Sequence, residues 1–234
     1  WSSDVCSSDL GSLLCGVPEL HVEDYTVHND HHSLLQQVLR AWPYTTITVG
    51  KIYTLNGWRK RPVVNHILDA LAGSSALESL DLCDMDWSRC ANTEDLPTRQ
   101  LAQMPCLKDL SVRMTHPEVS VFPDGMSCFL DQLALAAAQG SLGMCSLEAI
   151  TLTFQKTMGK TKISALPFSH LHMPKLKVIQ IWCDTGSVQA SIKMLFFLKA
   201  LVLARSSEDC PLLDKISVLS SYVSHDLLEG KNPG

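Results

Sequence analysis

Two segments of this chain are near-copies of one another, and this internal repetition constrains the fold more than any other feature. Residues 104–110 read MPCLKDL and residues 173–179 read MPKLKVI, so both follow the pattern M-P-x-L-K-x-φ, in which φ is apolar. Between them, residues 144–150 read MCSLEAI and keep the methionine and the apolar spacing. A unit that recurs at intervals of roughly 20–50 residues is typical of an array of stacked units.

The apolar spacing of these copies recurs along the chain, because an apolar residue is followed three and five positions later by two more in seven places. The first positions are separated by 27, 33, 30, 40, 29 and 22 residues. Alternate residues of a strand share one face, so the last two positions of each triple would face a core. We predict a strand at each triple, and the seven are Val17/Leu20/Val22, Tyr44/Ile47/Val49, Leu77/Leu80/Leu82, Leu107/Leu110/Val112, Leu147/Ile150/Leu152, Leu176/Ile179/Ile181 and Leu198/Leu201/Leu203.

The intervals between the triples carry apolar residues at helical spacing, and Gly140 stands where a helix would end. Parallel strands need long crossovers, which helices supply, so the alternation predicts an α/β fold. The predicted helices are His31–Trp42, Pro62–Leu71, Gly125–Gln139, Ser187–Phe197 and Leu212–Leu228.

The triples resemble the L-x-x-L-x-L strand motif of the leucine-rich-repeat superfamily, close to its ribonuclease-inhibitor-like class. The resemblance implies an α/β solenoid, with a curved parallel sheet inside and helices outside. Residues 11–234 would form one domain of about seven irregular repeats, with the last helix as its C-terminal cap. The chain departs from the family three residues after the last apolar strand position, where the usual Asn or Cys is replaced by Met85, Thr115, Gln155 or Asp184.

The first ten residues, WSSDVCSSDL, resemble a translated sequencing-adapter read. They are rich in Ser and Asp and show no apolar period. We therefore expect residues 1–10 to be artefactual and disordered, and the natural start of the protein to be missing.

The resemblance implies that the strand face bearing the residues between the core positions binds another protein. Trp182 and Arg113 are the first candidates, because Trp and Arg are over-represented among residues that dominate binding energy. Toward the C-terminus the expected face becomes apolar, at Ala200 and Val202 among others. The full set of expected binding residues is His21, Thr48, Asp81, Asp109, Arg113, Thr151, Thr153, Gln180 and Trp182.

The function that this resemblance implies is ligand recognition within a larger intracellular protein. An F-box/LRR-type substrate adaptor of a ubiquitin ligase is one parent for such an array. The repeat region of a nucleotide-binding immune-type sensor is an alternative.

A different class of function, a metal-dependent hydrolase, is suggested by His28, Asp30 and His31. These residues match half of an H-x-H-x-D-H metal motif, but Thr26 stands in place of its first histidine. A catalytic metal needs about three protein ligands, and no second cluster supplies them. Gly159-Lys160-Thr161 ends like a phosphate loop, but Phe154 replaces the required glycine. We expect no enzyme activity, no metal and no cofactor.

Charge and hydropathy restrict the partners further. The net charge of −5 argues against nucleic-acid binding, although Arg59–Arg61 form a small basic cluster. No apolar run approaches the ~20 residues that cross a bilayer, so we expect no membrane partner. The nine cysteines include no C-x-x-C pair, which favours free thiols and a cytoplasmic or nuclear location. The oligomeric state stays open.

Overall fold

The computed structural model describes residues 19–22, 26–27, 36–37, 39–40, 46–50, 53–54, 68–86, 98–115, 125–155, 171–184, 188–219 and 224–228. The strands in this part of the chain are β1 Glu19–Val22, β2 Thr26–Val27, β3 Thr46–Gly50, β4 Tyr53–Thr54, β5 Ser79–Asp86, β6 Asp109–Thr115, β7 Ala149–Gln155, β8 Val178–Asp184, β9 Lys215–Leu219 and β10 Ser224–Leu228. The helices are α1 Thr98–Leu101, α2 Gly125–Ala138, α3 Leu142–Ser146 and α4 Val188–Ser206, and residues 36–37, 39–40 and 68–71 are also helical.

The strands form one large sheet with the order β1-β3-β5-β6-β7-β8-β9-β10, in which the first seven strands are parallel and β10 is antiparallel to β9. The short strands β2 and β4 pair separately and in parallel. The seven parallel strands follow one another across the sheet in chain order. Helical residues lie in five of the six connections between them, and the exception is the connection from β7 to β8, of which the structure describes residues 171–177. The predicted α/β class with a parallel sheet is therefore confirmed.

The register of the sheet aligns the predicted core positions in two rows that cross it. Strand positions at the first six predicted triples are confirmed, because each triple contributes its second residue to one row and its third to the other. The first row is Leu20, Ile47, Leu80, Leu110, Ile150, Ile179 and Ile216, and the second is Val22, Val49, Leu82, Val112, Leu152, Ile181 and Val218. Those with described side chains are buried, or, for Leu20 and Val218, packed partly buried against the core.

The same connection between neighbouring strands recurs four times at the edge where the strands begin. The carbonyl of Glu78 accepts hydrogen bonds from the backbone N–H groups of Lys108 and Asp109, at 2.7 and 3.0 Å. The carbonyls of Lys108, Glu148 and Lys177 each accept the equivalent pair from the next strand. A buried Met104, Met144, Met173 or Cys210 lies three residues before a buried leucine at four of these strand starts. The near-copies in the sequence therefore occupy equivalent positions in the structure.

One hydrophobic core joins the sheet to the helices. It contains both rows of strand residues together with helix residues such as Phe129 and Phe197, which are almost completely buried. Helix α2 packs against both α1 and α4. Its end is confirmed near the predicted place, because Gly140 adopts φ +61° and its N–H donates to the carbonyl of Ala137. This left-handed residue closes the helix in the manner of a Schellman motif.

The seventh predicted strand, Leu198/Leu201/Leu203, is wrong, because these residues lie inside α4. The predicted helix Ser187–Phe197 is correct in place but continues to Ser206. The segment contains no Gly or Pro, and its buried residues recur at helical spacing: Phe197, Leu198, Ala200, Leu201 and Ala204. A helix that buries one face satisfies the strand template by coincidence, since both patterns place leucines three residues apart.

The predicted C-terminal helix, Leu212–Leu228, is also wrong. This stretch forms β9 and β10, and β9 adds the seventh parallel strand beside β8. Leu213, Ile216 and Val218 reproduce the apolar triple, and Ile216 pairs in register with Ile179. Pairing with the open edge of β8 buries Leu213 and Ile216, which outweighs the local helical spacing. The sheet therefore ends with the antiparallel strand β10 where the sequence predicted a helical cap.

Candidate functional site

The sheet face opposite the core carries the candidate site. Between the two core rows, the register aligns a polar row that crosses seven strands and consists of His21, Thr48, Asp81, Ser111, Thr151, Gln180 and Ser217. We call this row and its outward neighbours on the same strands the sheet face. All nine binding residues predicted from the sequence lie on the strands that form this face. Side-chain orientation is described for all of them except His21 and Thr48.

Trp182 and Arg113 lie two strands apart in one outward row, with Thr153 between them. Neighbouring strands are about 4.8 Å apart, so the backbones of Arg113 and Trp182 are separated by roughly 10 Å. The Trp182 residue is 51% exposed, although tryptophan carries the largest apolar surface of any residue. The Arg113 side chain is exposed and forms no ion pair within the part of the chain that the structure describes. This row therefore presents an apolar ring and an exposed cation on either side of Thr153.

Asp81 and Asp109 lie on the neighbouring strands β5 and β6, in adjacent outward rows. Asp81 is opposite Ser111, and Asp109 is opposite Ser79, so the two carboxylates are diagonal neighbours. The Oδ1 atom of Asp81 is inaccessible to solvent and has no hydrogen-bond partner, and no described cation pairs with either carboxylate. Removing a carboxylate oxygen from water without a partner is unfavourable. Among the residues that the structure describes, these two carboxylates therefore have no cation as a partner.

The beginning of the strands shows the opposite arrangement, with side chains of alternating charge that are paired. Nζ of Lys108 lies 2.8 Å from Oε1 of Glu78, and Nζ of Lys177 lies 2.6 Å from Oε2 of Glu148. The hydrogen bond with Glu78 raises the pKa of Lys108, and the hydrogen bond with Lys177 lowers the pKa of Glu148. Lys108 lies between Glu78 and Glu148, and Glu148 lies between Lys108 and Lys177, so opposite charges alternate from strand to strand. This alternation favours the observed register over a shifted one.

The accessible part of the sheet face ends near β9. Ser217 continues the polar row but is only 4% exposed, whereas Gln180 on the preceding strand is exposed. Sequence reasoning missed Ser217 and its neighbour Lys215 because it assigned this stretch to a helix. The signal was present, since residues 210–216 read CPLLDKI and follow the M-P-x-L-K-x-φ pattern with Cys in place of Met and Asp214 in place of Lys. Ala200 and Val202, expected to extend the face, lie instead on α4.

Other candidate chemistry is limited within the described residues. His28, Asp30, His31, Arg59–Arg61 and Gly159-Lys160-Thr161 lie outside them. The described residues contain no group of three or more His, Cys, Asp or Glu that could hold a metal ion. Among the described cysteines, Cys106, Cys145 and Cys210 are free thiols, and burial raises the pKa of Cys210. A thiol with a raised pKa is a poor nucleophile at neutral pH, so Cys210 is a packing residue.

A Ser–Asp–His contact near the end of α4 does not form a nucleophilic triad. Nδ1 of His172 lies 3.3 Å from Oδ1 of Asp209, and the Ser207 hydroxyl donates to Oδ2 of Asp209 at 2.8 Å. The carboxylate therefore lies between the other two groups. A serine nucleophile needs the imidazole in that position as the base, so this arrangement cannot activate Ser207.

Comparisons of the chain with protein-family models, curated proteins and solved structures found no match. No helix in the described part of the chain is both long and apolar enough to cross a bilayer.

Proposed function

We propose that the chain is a leucine-rich-repeat solenoid. Three features support this reading: the apolar triples aligned across the sheet, the recurrent hydrogen bonds at the strand starts, and the buried Met or Cys three residues before the leading leucine. In such an array each unit buries its apolar face only against its neighbours. Helix α2 follows β6 and α4 follows β8, and yet these two helices pack against each other. This contact is consistent with repeat units of unequal length.

The proposed function is recognition of another protein through the sheet face. The observation that carries this proposal is the half-exposed Trp182, which lies in one row with Arg113 and Thr153 and next to Gln180 on the same strand. An aromatic residue and an arginine surrounded by small hydroxyl side chains match the composition of binding hot spots. The parent protein that we propose is a ubiquitin-ligase substrate adaptor of the F-box/LRR type. The free thiols of Cys106, Cys145 and Cys210 suit a reducing, intracellular setting.

A photo-crosslinking residue placed at Thr153 tests the proposed surface directly. Thr153 lies between Arg113 and Trp182, so a partner seated there should form a discrete crosslinked product in cells. The same residue placed at Arg99, which is exposed on α1, provides a control on the helical side of the core. Equal crosslinking from both positions, or none from Thr153, would contradict the proposal.

The Trp182→Ala variant then measures the energetic role of the aromatic ring. Loss of a hot-spot tryptophan should weaken binding to the crosslinked partner by about 30-fold, which corresponds to ~2 kcal/mol. The thermal unfolding midpoint should stay unchanged, because half of Trp182 is already in water. Leu195→Ala is the matched control, since Leu195 is 59% exposed on α4 and lies on another element. Unchanged affinity in Trp182→Ala would remove Trp182 from the site.

The parent protein can be tested separately by recovering the transcript upstream of Gly11. An F-box segment in frame with this chain would support the substrate-adaptor proposal. A nucleotide-binding domain in that position would assign the array to a sensor instead.

A further inference from the structure

Helix α4 is apolar on both of its sides, although only one side faces the core. The buried side consists of Phe197, Leu198, Ala200, Leu201 and Ala204. The outward side carries four large apolar residues, Leu195, Phe196, Val202 and Leu203, which are 59%, 50%, 41% and 58% exposed. A helix that is hydrophobic all round is typical of a fully covered position. The outward side, which we define by these four residues and Lys199 and call the α4 face, therefore has the composition of a covered surface.

The α4 face and the sheet face lie on opposite sides of the core. The buried side of α4 and the inward rows of the sheet contribute to the same hydrophobic core, so α4 lies on the core side of the sheet. The α4 face therefore points away from Trp182 and the polar row. A partner on the α4 face leaves the sheet face accessible, so the two surfaces can be occupied independently.

The area of the α4 face supplies most of the apolar surface that a two-fold interface needs. A large apolar residue exposes on the order of 200 Å² when it is fully in water, so the four apolar residues together present roughly 400 Å². An interface of standard size buries about 800 Å² on each partner, of which roughly 500 Å² is apolar. In a two-fold dimer the same patch is used on both copies, so two α4 faces can cover each other.

The charge within the α4 face restricts how two copies can meet. Lys199 is exposed and lies three or four residues from each of the four apolar residues, so it stands in the middle of the face. A two-fold axis at Lys199 would bring two like charges together, which is unfavourable. An axis at Leu203 avoids this, because Lys199 lies four residues before Leu203 and the exposed Glu208 lies five residues after it. In an antiparallel pair these nearly equal offsets place each Lys199 beside the Glu208 of the second copy.

We propose that the α4 face binds the α4 face of a second copy of this chain, in an antiparallel two-fold dimer centred on Leu203 with Lys199 of each copy paired with Glu208 of the other. The apolar area drives the association, and the two ion pairs fix the register. Because the interface is at the small end of the specific range, the dimer forms reversibly at concentrations on the order of 10 µM. It leaves both sheet faces open to partners and directs them away from each other.

Sedimentation velocity of the full chain, from about 1 to about 200 µM, tests the dimer. The parent chain should change from monomer to dimer across this range. Leu203→Glu places two like charges at the two-fold axis and should stay monomeric throughout. Leu142→Glu is the matched control, since Leu142 is 68% exposed on α3 and its variant should dimerise like the parent chain. Both replaced residues are exposed, so circular dichroism should show the helix content of the parent chain in both variants.

Charge reversal tests the register of the dimer. Lys199→Glu and Glu208→Lys should each weaken dimerisation about tenfold, because each replaces two ion pairs with two like-charge contacts. The double variant restores opposite charges in reversed order and should dimerise within about twofold of the parent chain. Single variants that dimerise like the parent chain, or a double variant without recovery, would overturn the proposal.

Two further outcomes would also overturn the proposal. A parent chain that stays monomeric over the whole concentration range would assign the α4 face to a different protein. A dimer that persists in Leu203→Glu would show that the copies associate through another surface. Binding of a partner to the sheet face would be unaffected in either case, because Trp182 lies on the other side of the sheet.

Discussion

Gly143 provides the sharpest test of how α3 contacts the end of α1. It lies in α3, and a Cβ atom added to it would meet the carbonyl oxygen of Leu101 at 2.0 Å and the carbonyl carbon of Ala102 at 3.1 Å. Its N–H donates to the carbonyl of Ala102 at 3.0 Å. The backbones of α3 and the end of α1 therefore approach so closely that only glycine fits.

The expected cost of Gly143→Ala follows from that geometry. The clash is with backbone rather than with a flexible side chain, so α3 must move by about 1 Å or more, at ~1–3 kcal/mol for overpacking. Loss of the hydrogen bond to Ala102 adds about 1 kcal/mol, whereas alanine's higher helix propensity returns at most about 1 kcal/mol. We expect a net loss of ~2–3 kcal/mol in the free energy of unfolding.

Urea denaturation, followed by far-ultraviolet circular dichroism, measures this loss as a lower midpoint at constant slope. Gly140→Ala is the matched control, because a Cβ there has no neighbour within 4 Å and only its φ of +61° opposes the substitution. That variant should lose about 1 kcal/mol. If Gly143→Ala were as stable as the parent chain, or more stable, the close approach of α1 and α3 would be wrong.

Three further substitutions test separate parts of the structure. Glu208 holds φ +68° after α4, so Glu208→Gly should raise the free energy of unfolding by about 0.5–1 kcal/mol in the same assay, and a loss would contradict the left-handed conformation. Leu213→Ala should lower the free energy of unfolding by about 3 kcal/mol, whereas Leu212→Ala, at a residue 51% exposed, should lower it by less than about 0.5 kcal/mol. Equal losses in the two variants would contradict the strand and favour the predicted helix. Because Lys177 lowers the pKa of Glu148, the stabilisation is present above the ordinary value of 4.5 and is lost as pH falls below it, so the thermal midpoints of the parent and Glu148→Gln should differ at pH 7 and converge near pH 3.

The strands could be predicted because their core positions are strict. Six triples spaced i, i+3, i+5 were enough to place β1, β3, β5, β6, β7 and β8. Every residue of the four triples from Leu77 to Ile181 is buried in the core. The outward residues followed from the alternation of a strand, so the sheet face was also foreseeable. The sequence did not show which outward side chains lack a partner. Whether Asp81 is paired, for example, depends on where the Arg113 side chain lies relative to it.

The alternating charges at the strand starts were present in the sequence, but their alternation is visible only when the strands are aligned in the sheet. Glu78, Lys108, Glu148, Lys177 and Asp214 each follow the leading leucine by one position. Read along the chain, they are isolated charges separated by 29 residues or more. Read across the sheet, they become neighbours about 4.8 Å apart, and their alternation favours one order and register of strands.

The misplaced seventh strand shows that the spacing between successive strands constrains the fold more strongly than residue identity within the apolar triple. Placing the strand at Leu198 leaves 13 residues after β8 before the next triple begins, which barely accommodates a parallel crossover of a dozen residues or more. Placing it at Leu213 lengthens the interval between the first residues of successive triples from 22 to 37 residues, and that interval holds the 19-residue helix α4. This assignment places a Cys at position 210, where the near-copies of the segment have Met. Cys210 is as fully buried as Met104, so either residue fits at this position. Met and Cys are both apolar side chains that can be buried. The constraint is therefore a buried apolar side chain three residues before the leading leucine, and it need not be methionine.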